Sequence, residues 1–204
     1  TTSEVVRALE LAKASQVSSD HYLDSAVPLG FDLDESGEWV QNPIRMSANS
    51  MTGHYQLMQL PISTMQNLDR AMKGANIGVE KMVISTLATS EACLLKDEKE
   101  YGVCLIDIGA GTTNVAMYIE GRLALTHTLQ RGGEHVTRDI AAVLQTTTEE
   151  AERIKLLYGC VDQKVVKPDH MIQIQGIDGP QTISRIELTD IIIARYEEIF
   201  GQIR

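Results

Sequence analysis

Apolar positions along this 204-residue chain follow two rhythms, and the rhythm changes several times. Val5, Val6, Leu9 and Ala12 recur at helical spacing, which predicts a helix capped by Thr2 or Ser3 and ended by Val17 to Ser19. Tyr22–Val27 and Phe31–Leu33 read as strand pieces around Pro28 and Gly30, followed by a polar turn at Asp34–Gly37 and a break at Asn42-Pro43. Gly53–Leu60 reads as a strand in which Tyr55, Leu57 and Gln59 alternate against His54, Gln56 and Met58, and Pro61 limits its far end. Ser63-x-x-Gln66 is a capping-box pattern for a helix carrying Met65, Leu68 and Met72 and stopped at Gly74. Val79–Ile84 reads as a strand, Leu87–Leu95 as a helix and Lys96–Glu100 as a charged connector.

The second half is more regular. Val103–Ile106, Val115–Ile119 and Leu123–Leu129 are strand candidates, the last two separated by a turn at Glu120-Gly121. Gly132-Gly133 opens a helical pattern, Thr147-x-x-Glu150 caps a second, and Gly159 ends that one. Val165–Ile177 gives strands around Pro168, and Leu188–Ile203 is a helix with Ile192, Tyr196, Ile199 and Ile203 on one stripe. Helices and strands alternating in this way predict an α/β fold, with a compact α+β unit over the first part of the chain.

Composition narrows the function classes. A formal net charge of −10 argues against a general binder of nucleic acid or of acidic membrane, because either favours a basic face. Cys93, Cys104 and Cys160 lie far apart and show no metal-ligand spacing, and Cys104 within its apolar strand reads as a small core residue. No apolar run approaches a membrane span, and no signal peptide stands at the start. The five histidines are scattered without spaced partners and read as structural or surface residues.

The densest chemistry lies at Asp107-Ile108-Gly109-Ala110-Gly111-Thr112-Thr113-Asn114, between two strand candidates. A strand, a glycine turn and a returning strand bring several N–H groups to one point, a concavity that suits phosphate oxygens. Thr112 and Thr113 add hydroxyls, and Asp107 suits a Mg²⁺ ion or its water. The same residues also make a tight hairpin whose glycines serve turn geometry alone. Gly132 and Gly133 stand at a helix start, where free N–H groups attract anions, or act simply as a cap. Glu152 and Lys155, three apart on one helix, form an i,i+3 ion pair in the simplest reading, as do Arg195 and Glu198.

The order of these motifs resembles the second half of the actin-like ATPase fold, and in detail the FtsA family of bacterial cell-division proteins. The resemblance rests on Lys99-Glu100-Tyr101-Gly102-Val103-Cys104 before the Asp-Ile-Gly turn, on the Gly-Gly-x-x-Val-Thr-x-Asp-Ile run from Gly132, on Ala151-Glu152-x-Ile154-Lys155, and on Asn42-Pro43-Ile44-Arg45-Met46 upstream. It implies an α+β 1C subdomain at 1–77, a returning 1A segment at 78–100, the start of subdomain 2A with its second phosphate loop at 101–130, and subdomain 2B at 131–204. It implies that Asp107, Gly109, Gly111, Thr112 and Thr113 meet the β- and γ-phosphates of ATP, with Asp107 acting on Mg²⁺ through water. It places Gly132 and Gly133 close to the nucleotide and gives Glu152 and Lys155 to ribose and adenine. It places Arg195 and Glu198 at a 2B groove for the C-terminal tail of FtsZ, the tubulin-like ring protein. The family pattern often has Asp where this chain has Asn114, which removes a charge from any metal role there.

No catalytic residue is assigned: Glu91 is the carboxylate of the Leu87–Leu95 helix, and it is out of register with the base of other actin relatives. The resemblance therefore implies at most a slow ATPase, and it implies a central fragment lacking the first phosphate loop, the adenosine motif and the C-terminal membrane helix. Such a fragment is expected to bind ATP weakly or not at all. The intact protein is expected to tether FtsZ filaments to the inner face of the cell membrane, to self-associate into filaments and to recruit later division proteins through 1C. The alternatives are a PilM-like component of type IV pilus assembly, which shares the 1C insertion, and an actin-like or sugar-kinase-type enzyme with substantial turnover.

Overall fold

The computed structural model describes residues 1–16, 18–37 and 39–203. Val17, placed at the end of the first helix by the sequence pattern, lies outside the described residues, as do Glu38 and Arg204. The chain divides into two compact units. One comprises Thr1–Leu105 with Ala116–Thr126, and the other Ile106–Val115 with His127–Arg204.

The first unit opens with helix α1 (Thr2–Gln16), in which Thr2 and Ser3 lie inside the first turn rather than capping it. Strand β1 (His21–Leu33) is central in a sheet of order β2-β1-β3, between β2 (Trp39–Val40) and β3 (Met51–Pro61). The two predicted pieces of β1 are one antiparallel strand, with register shifts against β3 between Leu23 and Ser25 and between Pro28 and Gly30. Pro28 offers no N–H, and glycine in a strand tolerates irregular pairing, which accounts for the second shift. Gly30 also makes room for Trp39, which lies across it and stacks on His54 with ring centroids 4.0 Å apart. Both faces of β3 find cover. The Tyr55 hydroxyl donates to the carbonyl of Val5 in α1, while Met58, of opposite parity, is buried in the apolar cluster.

Four further expectations for this unit are corrected. Helix α2 (Ile62–Gly74) starts at Ile62 with Pro61 as its N-cap, so Ser63 falls within the first turn and the capping box does not form. Residues 79–84 are not a strand: an apolar run needs a neighbour for its backbone groups, and none of the described strands pairs with it. The charged connector is helix α4 (Lys96–Tyr101), entered from α3 (Ser85–Cys93), with Glu98 accepting from the N–H of Leu95. Cys104 is exposed because its neighbours Val103 and Leu105 point into the cluster and strand side chains alternate.

Strands β4 (Val103–Ile108), β5 (Thr113–Ile119) and β6 (Arg122–Leu129) form a sheet in that order. β5 and β6 are joined by Glu120 and Gly121, both at positive φ, as a two-residue type I′ turn requires. Their inward residues Ala116, Tyr118 and Leu123 pack with Met58, Leu87 and Leu105 to form the first unit's core.

The second unit contains α5 (Gly133–Val143), α6 (Thr148–Tyr158), a short 3₁₀ turn at Gln163–Val165, the antiparallel hairpin β7 (Met171–Gly176) and β8 (Gly179–Ser184), and α7 (Arg185–Gly201). Its core is Val136 and Ile140 from α5, Ala151 and Ile154 from α6, Ile172, Ile174 and Ile183 from the hairpin, and Leu188 and Ile192 from α7. The expected strands at Val165–Ile177 reduce to β7, and β8 had no clear apolar alternation because Ile183 alone of its residues is buried. As predicted, Thr147 caps α6 by accepting the N–H of Glu150, and the Glu150 carboxylate turns instead to Arg153 and to the N–H of Gln175.

Candidate functional site

The glycine turn between β4 and β5 is closed by the N–H of Gly109 donating to the carbonyl of Thr112 over 2.8 Å. Among the described hydrogen bonds, none uses the N–H of Ala110, Gly111 or Thr112. Ala110 and Gly111 are exposed and Thr112 is half-buried, and successive amides left free in a turn are the kind of donors that bind anions. Neither Gly109 nor Gly111 has positive φ. Asp107 stands half-buried near the end of β4, two residues before the turn. Thr113 is fully buried, and its hydroxyl donates to the carbonyl of Arg131, so it braces the turn from behind and its hydroxyl does not face a ligand. Asn114 accepts from the Thr128 hydroxyl.

Gly132 has the sterically demanding position. A Cβ there would lie 2.5 Å from the carbonyl oxygen of Gly109 and 2.6 Å from that of Ala110. This close approach lets the N–H of Gly133 bond to Gly109 and that of Glu134 to Ala110, at 2.9 and 2.8 Å. The first amides of α5 are therefore committed to the turn's own carbonyls. The expectation that Gly132 and Gly133 offer free N–H groups to an anion is corrected: they pin the glycine turn to the helix and hold its three remaining amides in place. His135 assists, its Nδ1 accepting from the N–H of Gly132.

An open groove of about 760 Å³ runs from Ala110 and Gly133 between one face of α5 (Glu134, Thr137, Arg138) and one face of α6 (Thr148, Glu149, Glu152, Lys155). Glu152 and Lys155, chosen from the sequence, both face it and pair at 2.7 Å. Lys155 also donates to the Thr137 hydroxyl over 2.8 Å and to the carbonyl of Gly133 over 3.2 Å. Glu152 accepts from Thr137 as well. These contacts from Lys155 and Thr137 hold the Glu152 carboxyl below the ordinary glutamate range. Thr137 escaped the sequence reading. Its signal was its place four residues after Gly133, one turn along the same helix face.

The other assigned residues lie apart from this groove. Arg195 grips Asp139 through two bonds of 2.6 and 2.9 Å and also meets Glu198. The Asp139 carboxylate raises the Arg195 pKa. Arg195 and Glu198 border a hollow between α5 and α7 with apolar lining from Val143, Ile191 and Ala194. Glu91, left unassigned, pairs with Lys99. Among the described residues, no group of three or more His, Cys, Asp or Glu is placed to hold a metal ion, and no helix is long and apolar enough to cross a membrane.

Comparison with known proteins fits this picture. Residues 104–195 match the family model of cell division protein FtsA. Over 97% of its length the chain is 30% identical to cell division protein FtsA of Pseudomonas aeruginosa, and over 98% it is 32% identical to that of Neisseria meningitidis. It spans about half of those relatives, 48% and 49%. Among solved structures, MreB5 of Spiroplasma citri bound to ADP superposes with a TM-score of 0.51 at 14% identity, covering 92% of this chain and 71% of that one. A PilM–PilN type IV pilus biogenesis complex superposes with a TM-score of 0.55 at 17% identity, covering 77% and 44%. The fold is thus α/β of the actin-like kind, and the resemblance to the FtsA family of cell-division proteins, read from the motifs, is borne out across nearly the whole chain.

Proposed function

We propose that this chain supplies one wall of the ATP site in an actin-like cell-division protein. The observation that carries this reading is the glycine turn, held by Gly132 with three uncommitted amides, opening onto a groove that contains Lys155 and Glu152. The residues present fit a magnesium nucleotide. The amides of Ala110, Gly111 and Thr112 suit phosphate oxygens, and Asp107 suits a water of the Mg²⁺ shell. Oε1 of Glu152 accepts no described hydrogen bond and suits a ribose hydroxyl. ADP is bound in the MreB5 structure of similar fold, which agrees with this use. In this reading hydrolysis is at most slow, and nucleotide acts mainly as a conformational ligand.

In the same reading, residues 1–77 form the 1C subdomain that recruits later division proteins, 78–130 carry the return through 1A into 2A, and 131–204 form 2B. The intact protein self-associates and holds FtsZ filaments at the inner face of the membrane. Calorimetric titration of the full-length protein with Mg·ATP tests the nucleotide site. Lys155→Ala is expected to weaken binding by about tenfold, the scale of one charge-assisted contact. A folded Lys155→Ala protein with unchanged affinity would sink the proposal.

A further inference from the structure

Thr137 stands where the two nucleotide-facing side chains meet. It is buried on α5, and three polar groups from two helices converge on its hydroxyl. A hydroxyl has one hydrogen to give. Two acceptors lie within reach, the Gly133 carbonyl at 3.1 Å and Oε2 of Glu152 at 2.5 Å. The charged and nearer acceptor is favoured, so the proton points to Glu152. The lone pairs of the same oxygen then face Lys155, whose ammonium donates to Thr137 and to the Gly133 carbonyl and pairs with Glu152. The result is a closed triad in which Oε2 of Glu152 is held twice and Oε1 has no described hydrogen bond, on a residue that lines the groove.

We infer that Thr137 is a positioning residue for ligand recognition: by fixing Oε2 of Glu152 and the Lys155 ammonium together, it aims Oε1 at a ligand that donates a vicinal diol, as a ribose does. This inference rests on the nucleotide reading above. It makes Thr137 matter for the sugar and little for the phosphates, which are met at the glycine turn. Without the hydroxyl, Lys155 keeps its bond to the Gly133 carbonyl and its attraction to Glu152, but the carboxylate loses its second anchor and is free to close both oxygens onto the lysine.

The test compares ATP with 2′,3′-dideoxy-ATP by calorimetry on the full-length protein and its Thr137→Val, Thr137→Ser, Lys155→Ala and Glu152→Gln variants. Valine keeps the volume of threonine and removes the hydroxyl; serine keeps the hydroxyl. Thr137→Val is expected to weaken ATP about tenfold, the cost of a hydrogen bond to a charged group, with dideoxy-ATP almost unchanged. Thr137→Ser is expected to bind both as the parent does. Equal weakening of the two nucleotides in Thr137→Val would show a merely structural role and overturn the inference. Unchanged ATP binding in Thr137→Val, beside its loss in Lys155→Ala, would overturn the inference and leave the nucleotide site standing. Unchanged ATP binding in Lys155→Ala would remove the nucleotide reading and the inference with it, and unchanged binding in Glu152→Gln alone would overturn the inference.

Discussion

One methyl group separates two glycines of the site. At Gly132 an added Cβ meets two backbone carbonyls at 2.5 and 2.6 Å, and neither can move without breaking the bonds that tie α5 to the turn. At Gly111 an added Cβ meets nothing within 4 Å, and the residue has no positive φ. Gly132→Ala is therefore expected to destabilise the fold by about 1–3 kcal/mol, the range for overpacking. Gly111→Ala should stay within about 0.5 kcal/mol, as for an open surface position. Urea unfolding of the two variants checks this, and equal midpoints would show that the turn and helix are not pinned as described. Both glycines were legible in the sequence, but not the difference between them. A glycine's identity does not reveal which neighbour approaches it, and the approach comes from a turn more than twenty residues earlier.

Helix α6 shows what element-scale reading can and cannot reach. Its start, its end and its two groove-facing residues were visible, because caps and i,i+3 spacing are local. The partners were not, since Thr137 and Gln175 come from distant elements. The unmade strand at 79–84 failed for the same reason: strand character depends on a neighbour that the sequence does not name. Removing the cap in Thr147→Ala is expected to lower stability by about 1 kcal/mol. The acid response of this helix has a definite sign. Contact with Arg153 holds Glu150 below its ordinary value of 4.5, and Lys155 and Thr137 do the same for Glu152. Above that value both states are ionised and the stabilisation is fully present. As pH falls through 4.5 the unfolded chain takes up protons first, and stability is lost until pH passes the folded values. The urea midpoint should therefore fall with acid in this window, and less steeply in a Glu150→Gln, Glu152→Gln double variant. A parallel pH dependence in the two proteins would refute the assignment.

Across the whole molecule, the α5–α7 hollow and the α5–α6 groove share no lining residue, which leaves room for a ligand in each. The charge at Arg195 is already shared with Asp139 and Glu198. A peptide docking there meets a guanidinium whose remaining attraction is modest, so apolar side chains against Val143, Ile191 and Ala194 must supply most of the affinity, with Arg195 choosing the register of an acidic group. On the reading proposed above, that peptide is the FtsZ tail. Reversing the charge at Arg195 would crowd three carboxylates and confound binding with unfolding, so Arg195→Gln is the better variant. Fluorescence anisotropy should show saturable binding of a labelled FtsZ C-terminal tail peptide, weakened about tenfold in Arg195→Gln, a loss on the scale of an interface hot spot. A PilN N-terminal peptide should not bind. The urea midpoint of Arg195→Gln serves as the control, because losing the clamp on Asp139 has a cost of its own. Binding of the pilus peptide in place of the FtsZ tail would move the chain to the pilus-assembly reading. Equal FtsZ-tail binding by a folded Arg195→Gln protein would move the docking surface away from α7.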